Sequence, residues 1–229
     1  MIYPIGMSSS YILLIVVSLV LGLGTQFYIN HTFKKWSKVG VSTGMSGAQA
    51  ARRMLDGEGL ANVPIHPNGG GDLSDYYDPR SNALYLSGSS EHGNSVASMA
   101  VACHEAGHAV QHARHYMPAK VRGAIVPLVN IGSQAWMIVL ILGMVMNFSG
   151  LITLGIVLFA FVVVFQLVTL PVEFDASRRA LAYINGAGVS GEEAHGARQM
   201  LTAAALTYVA AALTSILQLL YLLQQNRDE

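Results

Sequence analysis

The sequence predicts a mainly α, polytopic membrane protein: four transmembrane helices and a small α+β polar part that carries a histidine-rich helix. Three observations lead there. Of 229 residues, 52% are hydrophobic and only 11% are charged, whereas a soluble domain carries about 25% charged residues. Four long apolar runs, over 11–29, 124–148, 150–170 and 200–223, contain no Asp, Glu, Lys, Arg or His. Four of the eight histidines fall in one short polar stretch, ACHEAGHAVQHARHY, at 102–116.

The run 11–29 is long enough to cross a bilayer, which takes about 20 apolar residues. No basic residues precede it, Lys34, Lys35 and Lys38 follow it, and no A-x-A site ends it. It therefore reads as an uncleaved anchor rather than a signal peptide. Buried core helices of a soluble protein are the alternative for the four runs, but too little polar chain would be left to cover them.

The polar segment 30–123 is too short to build a large core and is expected to lean on the membrane helices. Ser46-Gly47-Ala48-Gln49 is a capping box, S-x-x-Q, opening a short helix that Gly57 can close. After NVPIHP and the hinge Gly69-Gly70-Gly71, the stretches SDYYDP and NALYLS read as strands joined by a turn over Asp78–Asn82. The glycines lack the G-x-x-x-x-G-K-[ST] pattern of a phosphate loop. A helix is expected from near Val96 until Pro118 stops it, carrying all four histidines. The runs 124–148 and 150–170 form a helical hairpin with almost no loop. Pro171 is expected to end the third span, and the polar segment 171–199 leads to the fourth.

Nine of the 13 Lys and Arg lie between the first and second runs, and three more between the third and fourth. Positive residues favour the cytoplasmic side. Both polar segments are therefore expected in the cytoplasm and both termini outside, with the whole chain forming one membrane-embedded domain. A formal net charge of zero argues against nucleic acid as a partner. With one cysteine, Cys103, no intrachain disulfide is possible; Cys103 reads as a small buried residue.

His104-Glu105-Ala106-Gly107-His108 is an HExxH sequence. On a helix, positions i and i+4 share a face, so both imidazoles can reach one Zn²⁺ at about 2.0–2.1 Å. Glu105 can then accept a proton from a water that the zinc acidifies. This is the pattern of zinc peptidases. Catalytic zinc sites take three protein ligands and keep one open position. His112 lies about 12 Å along the helix from His104 by rise, so it reads as a neighbour of the site or a surface residue. Glu173 in LPVEFDASRRA is the first acid after the hairpin returns the chain to the histidine side. It is taken as the third ligand, with Asp175 as competitor; the plainer alternative pairs Glu173 with Arg178 or Arg179.

HEAGHAVQHA, PAKVRGAIVPLVNIGS, FQLVTLPVEFDASRRA and LTAAALTYVAAAL closely resemble the YugP-like family of neutral zinc metallopeptidases of bacterial membranes, over nearly the whole chain. The resemblance implies a membrane-embedded, Zn²⁺-dependent peptidase of the bacterial plasma (inner) membrane, its active site facing the cytoplasm. The family is similar to integral-membrane gluzincins, which take a Glu from a later helix as third ligand; that role falls on Glu173. Those enzymes often carry an Asp four residues further on, bonded to a ligand histidine. Here Ser177 stands there and the acid is Asp175, two residues after Glu173. Ser177, or Asp175 brought round by a non-helical turn, is the alternative support for the histidines.

A peptidase also needs a group to stabilise the oxyanion, and Arg198 and Tyr208 are the candidates. NALYLS is a candidate edge strand for an extended substrate. The partners expected are a peptide or membrane-protein substrate and the lipid bilayer. The alternative is a non-proteolytic membrane adaptor that keeps zinc for structure, though structural zinc takes four protein ligands.

Overall fold

The computed structural model describes residues 9–227. The N-terminal eight residues and Asp228–Glu229, whose tips the charge distribution assigns to the outer side, lie outside them. The elements run α1 (Ser9–Trp36), α2 (Gly47–Gly57), β1 (Ile65–Asn68), β2 (Tyr76–Asp78), β3 (Ala83–Ser87), α3 (Gly88–His92), α4 (Val96–Ala113), α5 (Met117–Val145), α6 (Ser149–Gly186) and α7 (Gly191–Arg227). The protein is mainly helical, and α1, α5, α6 and α7 are long and apolar enough to cross a membrane. The chain divides into two compact units.

One unit takes the chain up to Gln26, Val121–Thr169, and the chain from Thr207 onward. Its surface is rich in exposed Leu, Ile, Val, Met and Phe, among them Leu19, Leu23, Ile138, Val157 and Leu220, as lipid-facing helices require. Only Met146, Asn147 and Phe148 separate α5 from α6, and Asn147 takes the left-handed conformation with φ +50° that tight reversals favour and Asn tolerates. Small residues bring the two helices together: a Cβ on Gly143 would lie 2.6 Å from the Ile152 nitrogen, and one on Gly155 would lie 3.0 Å from the Leu140 nitrogen. Trp136 and Phe159 pack at 4.5 Å between ring centroids.

The other unit takes Phe27–Lys120 and Leu170–Leu206. The capping box at α2 forms in both directions: Gln49 N–H donates to Ser46 Oγ and Ser46 N–H donates to Gln49 Oε1. The left-handed residue after α2 is Gly59, with φ +76°, rather than Gly57, which stays helical. The hairpin read from SDYYDP and NALYLS is present, with Tyr76 opposite Tyr85 and Asp78 opposite Ala83. Arg80 N–H donates to Asp78 Oδ1 in its turn.

A third strand alters the role of NALYLS. β1 pairs with β3 in parallel, so the order is β1-β3-β2 and β3 is central rather than an edge. β1 escapes sequence reading because IHPN is four residues long and contains Pro67, which only an edge position tolerates.

The core of this unit joins α1, α2, the sheet and α4 to α6 and α7, through Trp36, Leu55, Leu84, Met99, Ile184 and Met200. Trp36 is 1% exposed, its indole N–H donates to Gln199 Oε1 at 2.8 Å, and its ring fills the space where a Cβ on Gly196 would stand, 2.5 Å away. The polar segment does lean on helices of the apolar runs, through the parts of α6 and α7 that extend past them.

Two helix ends differ from expectation. α4 stops at Ala113, five residues before Pro118. His115 takes a left-handed φ of +54°, and Tyr116 N–H donates back to the Gln111 carbonyl, a closure that glycine usually supplies. His115 is therefore not on the histidine helix, and Pro118 sits in the first turn of α5, where proline costs no helical hydrogen bond. Pro171 does not end its helix either: α6 runs through it to Gly186.

Candidate metal centre

α4 is buried on every side from Val96 to Gly107, which suits a helix apolar all round. Ser95 caps it by accepting from Ser98 N–H. Inside this greasy cylinder His104 and Glu105 are each 9% exposed. One turn apart, His104 and His108 hold their rings edge to face, with centroids 4.7 Å apart. α6 brings Glu173, 2% exposed, against both.

Glu173 Oε2 lies 3.2 Å from His104 Nε2 and 3.6 Å from His108 Nε2. The three side chains can each offer one ligand atom, all within 4.8 Å of one another. Around a tetrahedral ion with bonds of about 2.0–2.1 Å, ligand atoms stand roughly 3.3–3.4 Å apart, and the two measured distances straddle that spacing. Two imidazoles and a carboxylate also match zinc in donor type. The donor set fits a single divalent ion.

Close approach of α4 and α6 makes the cluster possible. A Cβ on Gly107 would lie 2.7 Å from the Ala176 carbonyl oxygen, so the fourth residue of the motif has to be glycine for Glu173 to come this near. Arg178 and Arg179 both pair with Asp175, so the reading in which they neutralise Glu173 as a surface pair fails.

The remaining imidazole nitrogens are held as well. Ser177 Oγ lies 3.2 Å from His104 Nδ1, and Gln111 Oε1 lies 3.0 Å from His108 Nδ1. Gln111 Nε2 in turn donates to Asp175 Oδ2 at 3.0 Å and to the Val172 carbonyl at 2.7 Å. Ser177 therefore supports His104 directly, whereas α6 stays helical and no turn brings Asp175 round to a ring: it reaches His108 only through Gln111. A ligand histidine ordinarily has its second nitrogen bonded in this way.

Glu105 stands beside the cluster. The Tyr77 backbone N–H, on edge strand β2, donates to its Oε2 at 3.0 Å. Burial raises the Glu105 pKa above the ordinary carboxylate value; His104 and His108 pull it back, while Glu173 and Asp75 add to the rise. A carboxylate tuned upward in this direction suits a general base working near neutrality. For His108, burial acts to lower the pKa, but the bond to Glu173 and the charge of Glu105 outweigh it.

His112 is outside the cluster, its Nδ1 2.6 Å from the Tyr77 hydroxyl. Cys103 is fully buried. Arg198 is exposed on α7, and Tyr208 is half-buried further along that helix, in the apolar unit. Gln111, Tyr77 and Gly107 are the site residues that motif reading missed. Gly107 alone had a local signal, since a glycine inside a helix costs about 1 kcal/mol and needs a packing reason.

The family model described as "Putative neutral zinc metallopeptidase" matches residues 11–227. The chain belongs to that family. Among curated proteins, "Putative membrane protease YugP" of Bacillus subtilis (strain 168) is 43% identical over 223 residues, 96% of this chain and 99% of the relative. No solved structure matches the chain. The His104–His108–Glu173 cluster could hold the zinc that the family's description names.

Proposed function

We propose that the chain is a zinc-dependent endopeptidase embedded in the bacterial plasma membrane, cleaving peptide bonds of peptide or membrane-protein substrates at the cytoplasmic face. The observation that carries this reading is the convergence of His104 Nε2, His108 Nε2 and Glu173 Oε2 with Glu105 beside them. The zinc, when bound, supplies Lewis acidity to a carbonyl and to a water molecule.

The chain's residues do the rest. His104, His108 and Glu173 hold the ion. Glu105 takes the proton from the attacking water and returns it to the leaving amine. The Tyr77 amide keeps the Glu105 carboxylate turned toward the cluster. Arg198 and Tyr208 are alternative candidates for the developing oxyanion, since ten residues along α7 separate them by about 15 Å of helix rise. An extended substrate lies along the edge strand β2, whose outward Tyr77 N–H is taken up by Glu105, rather than along the central β3. The cytoplasmic orientation rests on the Lys and Arg distribution, and the plasma membrane on the Bacillus relative named a membrane protease.

The test is zinc content and cleavage of an unstructured reporter peptide by the full chain in detergent micelles, for the natural protein and for Glu105→Gln. The variant should keep its zinc and lose at least about 100-fold in rate, since it loses the base and no ligand. Zinc binding without cleavage by the natural protein would favour an adaptor. Full activity of metal-replete Glu105→Gln would refute the mechanism.

A further inference from the structure

We propose that Gln111 is the positioning residue that sets which nitrogen of His108 faces the metal. The inference rests on the proposed metal site and concerns the residues behind it. Gln111 is 1% exposed, one turn after His108 on α4. Its amide has a donor end and an acceptor end, and the surroundings decide which way round it sits. The Val172 carbonyl, 2.7 Å away, and Asp175 Oδ2, 3.0 Å away, lie on one side.

A carbonyl oxygen can only accept, and so can an ionised carboxylate. Asp175 is held in that form by Arg178 and by Arg179, whose Nε donates to it at 2.6 Å. The reverse orientation would point the amide oxygen at two acceptors inside a buried site, leaving that oxygen without a hydrogen and the NH₂ end away from both. The cost of such unmade bonds is large enough to fix the amide one way. The NH₂ end therefore faces α6, and Oε1 faces His108 Nδ1 at 3.0 Å.

An amide oxygen has no hydrogen to give, so Nδ1 must carry one. The lone pair of the neutral ring then resides on Nε2, the atom turned toward Glu173 Oε2 at 3.6 Å. A lone pair facing a carboxylate oxygen is stable only with a cation between them. The Arg179–Asp175–Gln111–His108 chain thus prepares His108 as a ligand through Nε2 before any ion arrives. His104 has a different arrangement: its Nδ1 faces the Ser177 hydroxyl, which can donate or accept and so fixes nothing by itself. The direction of the site is set on the His108 side.

The experiment uses the full chain in detergent micelles, labelled with ¹⁵N at histidine and loaded with zinc. The natural protein should show His108 with a protonated Nδ1 and a metal-bound Nε2; a protonated Nε2 would overturn the proposal. Gln111→Leu, which removes the acceptor, should weaken zinc binding about 10–100-fold in competition with a chromophoric chelator. Gln111→Glu keeps an oxygen opposite Nδ1, its second oxygen meets Asp175 Oδ2 by sharing one proton between the two carboxyl groups, and it should retain more affinity than Gln111→Leu. Equal losses in the two variants would show that the acceptor is not what matters. If Gln111→Leu does not fold, the natural protein's spectrum and Gln111→Glu still decide the question. If the natural chain binds no zinc, the peptidase reading falls. The tautomer is then read on the metal-free chain with its imidazoles neutral, where Nδ1–H supports the role of Gln111 and Nε2–H ends it.

Discussion

Gly107 and Ala176 touch backbone to backbone: a Cβ placed on Gly107 would stand 2.7 Å from the Ala176 carbonyl oxygen and 3.1 Å from its Cα. The helix bearing the histidines and the helix bearing the acid are locked at this point.

Gly107→Ala should therefore destabilise the protein despite alanine's better helix propensity. The overlap is with backbone, which cannot swing aside, and overpacking of this kind costs about 1–3 kcal/mol, more than the gain of about 1 kcal/mol in propensity. Glu173 should move away from the histidines, so zinc affinity should fall as well. Thermal unfolding in detergent and chelator competition measure the two effects; a variant as stable and as zinc-avid as the natural protein would show that the contact is not tight.

Glu173→Ala should lose zinc and activity together, because it removes one of three ligands. Asp175→Ala should keep most of its zinc, since it touches the cluster only through Gln111, which retains the Val172 carbonyl. Metal analysis of the two purified variants distinguishes them. An anomalous-scattering map at the zinc edge should place a Glu173 oxygen about 2.0–2.2 Å from the ion; an Asp175 oxygen there would reverse the assignment.

Whichever of Arg198→Ala and Tyr208→Phe removes the oxyanion donor should lower the turnover rate by about 100–1,000-fold with zinc content unchanged. Steady-state kinetics on the reporter peptide checks this. Unchanged kcat in either variant removes that residue from the mechanism.

A tag fused after Glu229 should be reached by protease or antibody from outside intact cells. The expectation follows from 12 of the 13 Lys and Arg lying in the two polar segments. A tag accessible only after the membrane is opened would place the metal cluster on the outer side.

Local pattern and chain length determined much of this protein by themselves. Apolar runs of spanning length are visible in composition, because a bilayer accepts only segments that satisfy their own backbone. The capping box at Ser46, the hairpin at Asp78–Asn82 and the i, i+4 histidines are likewise short-range arrangements, legible because their partners are at most a few residues apart. Glu173 could be read because the α5–α6 hairpin returns the chain to the face it left.

Tertiary structure alone decided the rest. Each β1 residue lies 19 residues before its parallel partner in β3, and a pairing at that distance leaves no local period. α4 ends at Ala113, with His115 left-handed beyond it, and α6 passes through Pro171, neither of which the usual preferences of those residues foretell. Gln111 reaches Asp175 across 64 residues of sequence, and Tyr77 reaches Glu105 across 28. Neither residue type announces such a role. The orientation of a buried amide depends on which donors and acceptors surround it, and only the folded chain brings those together.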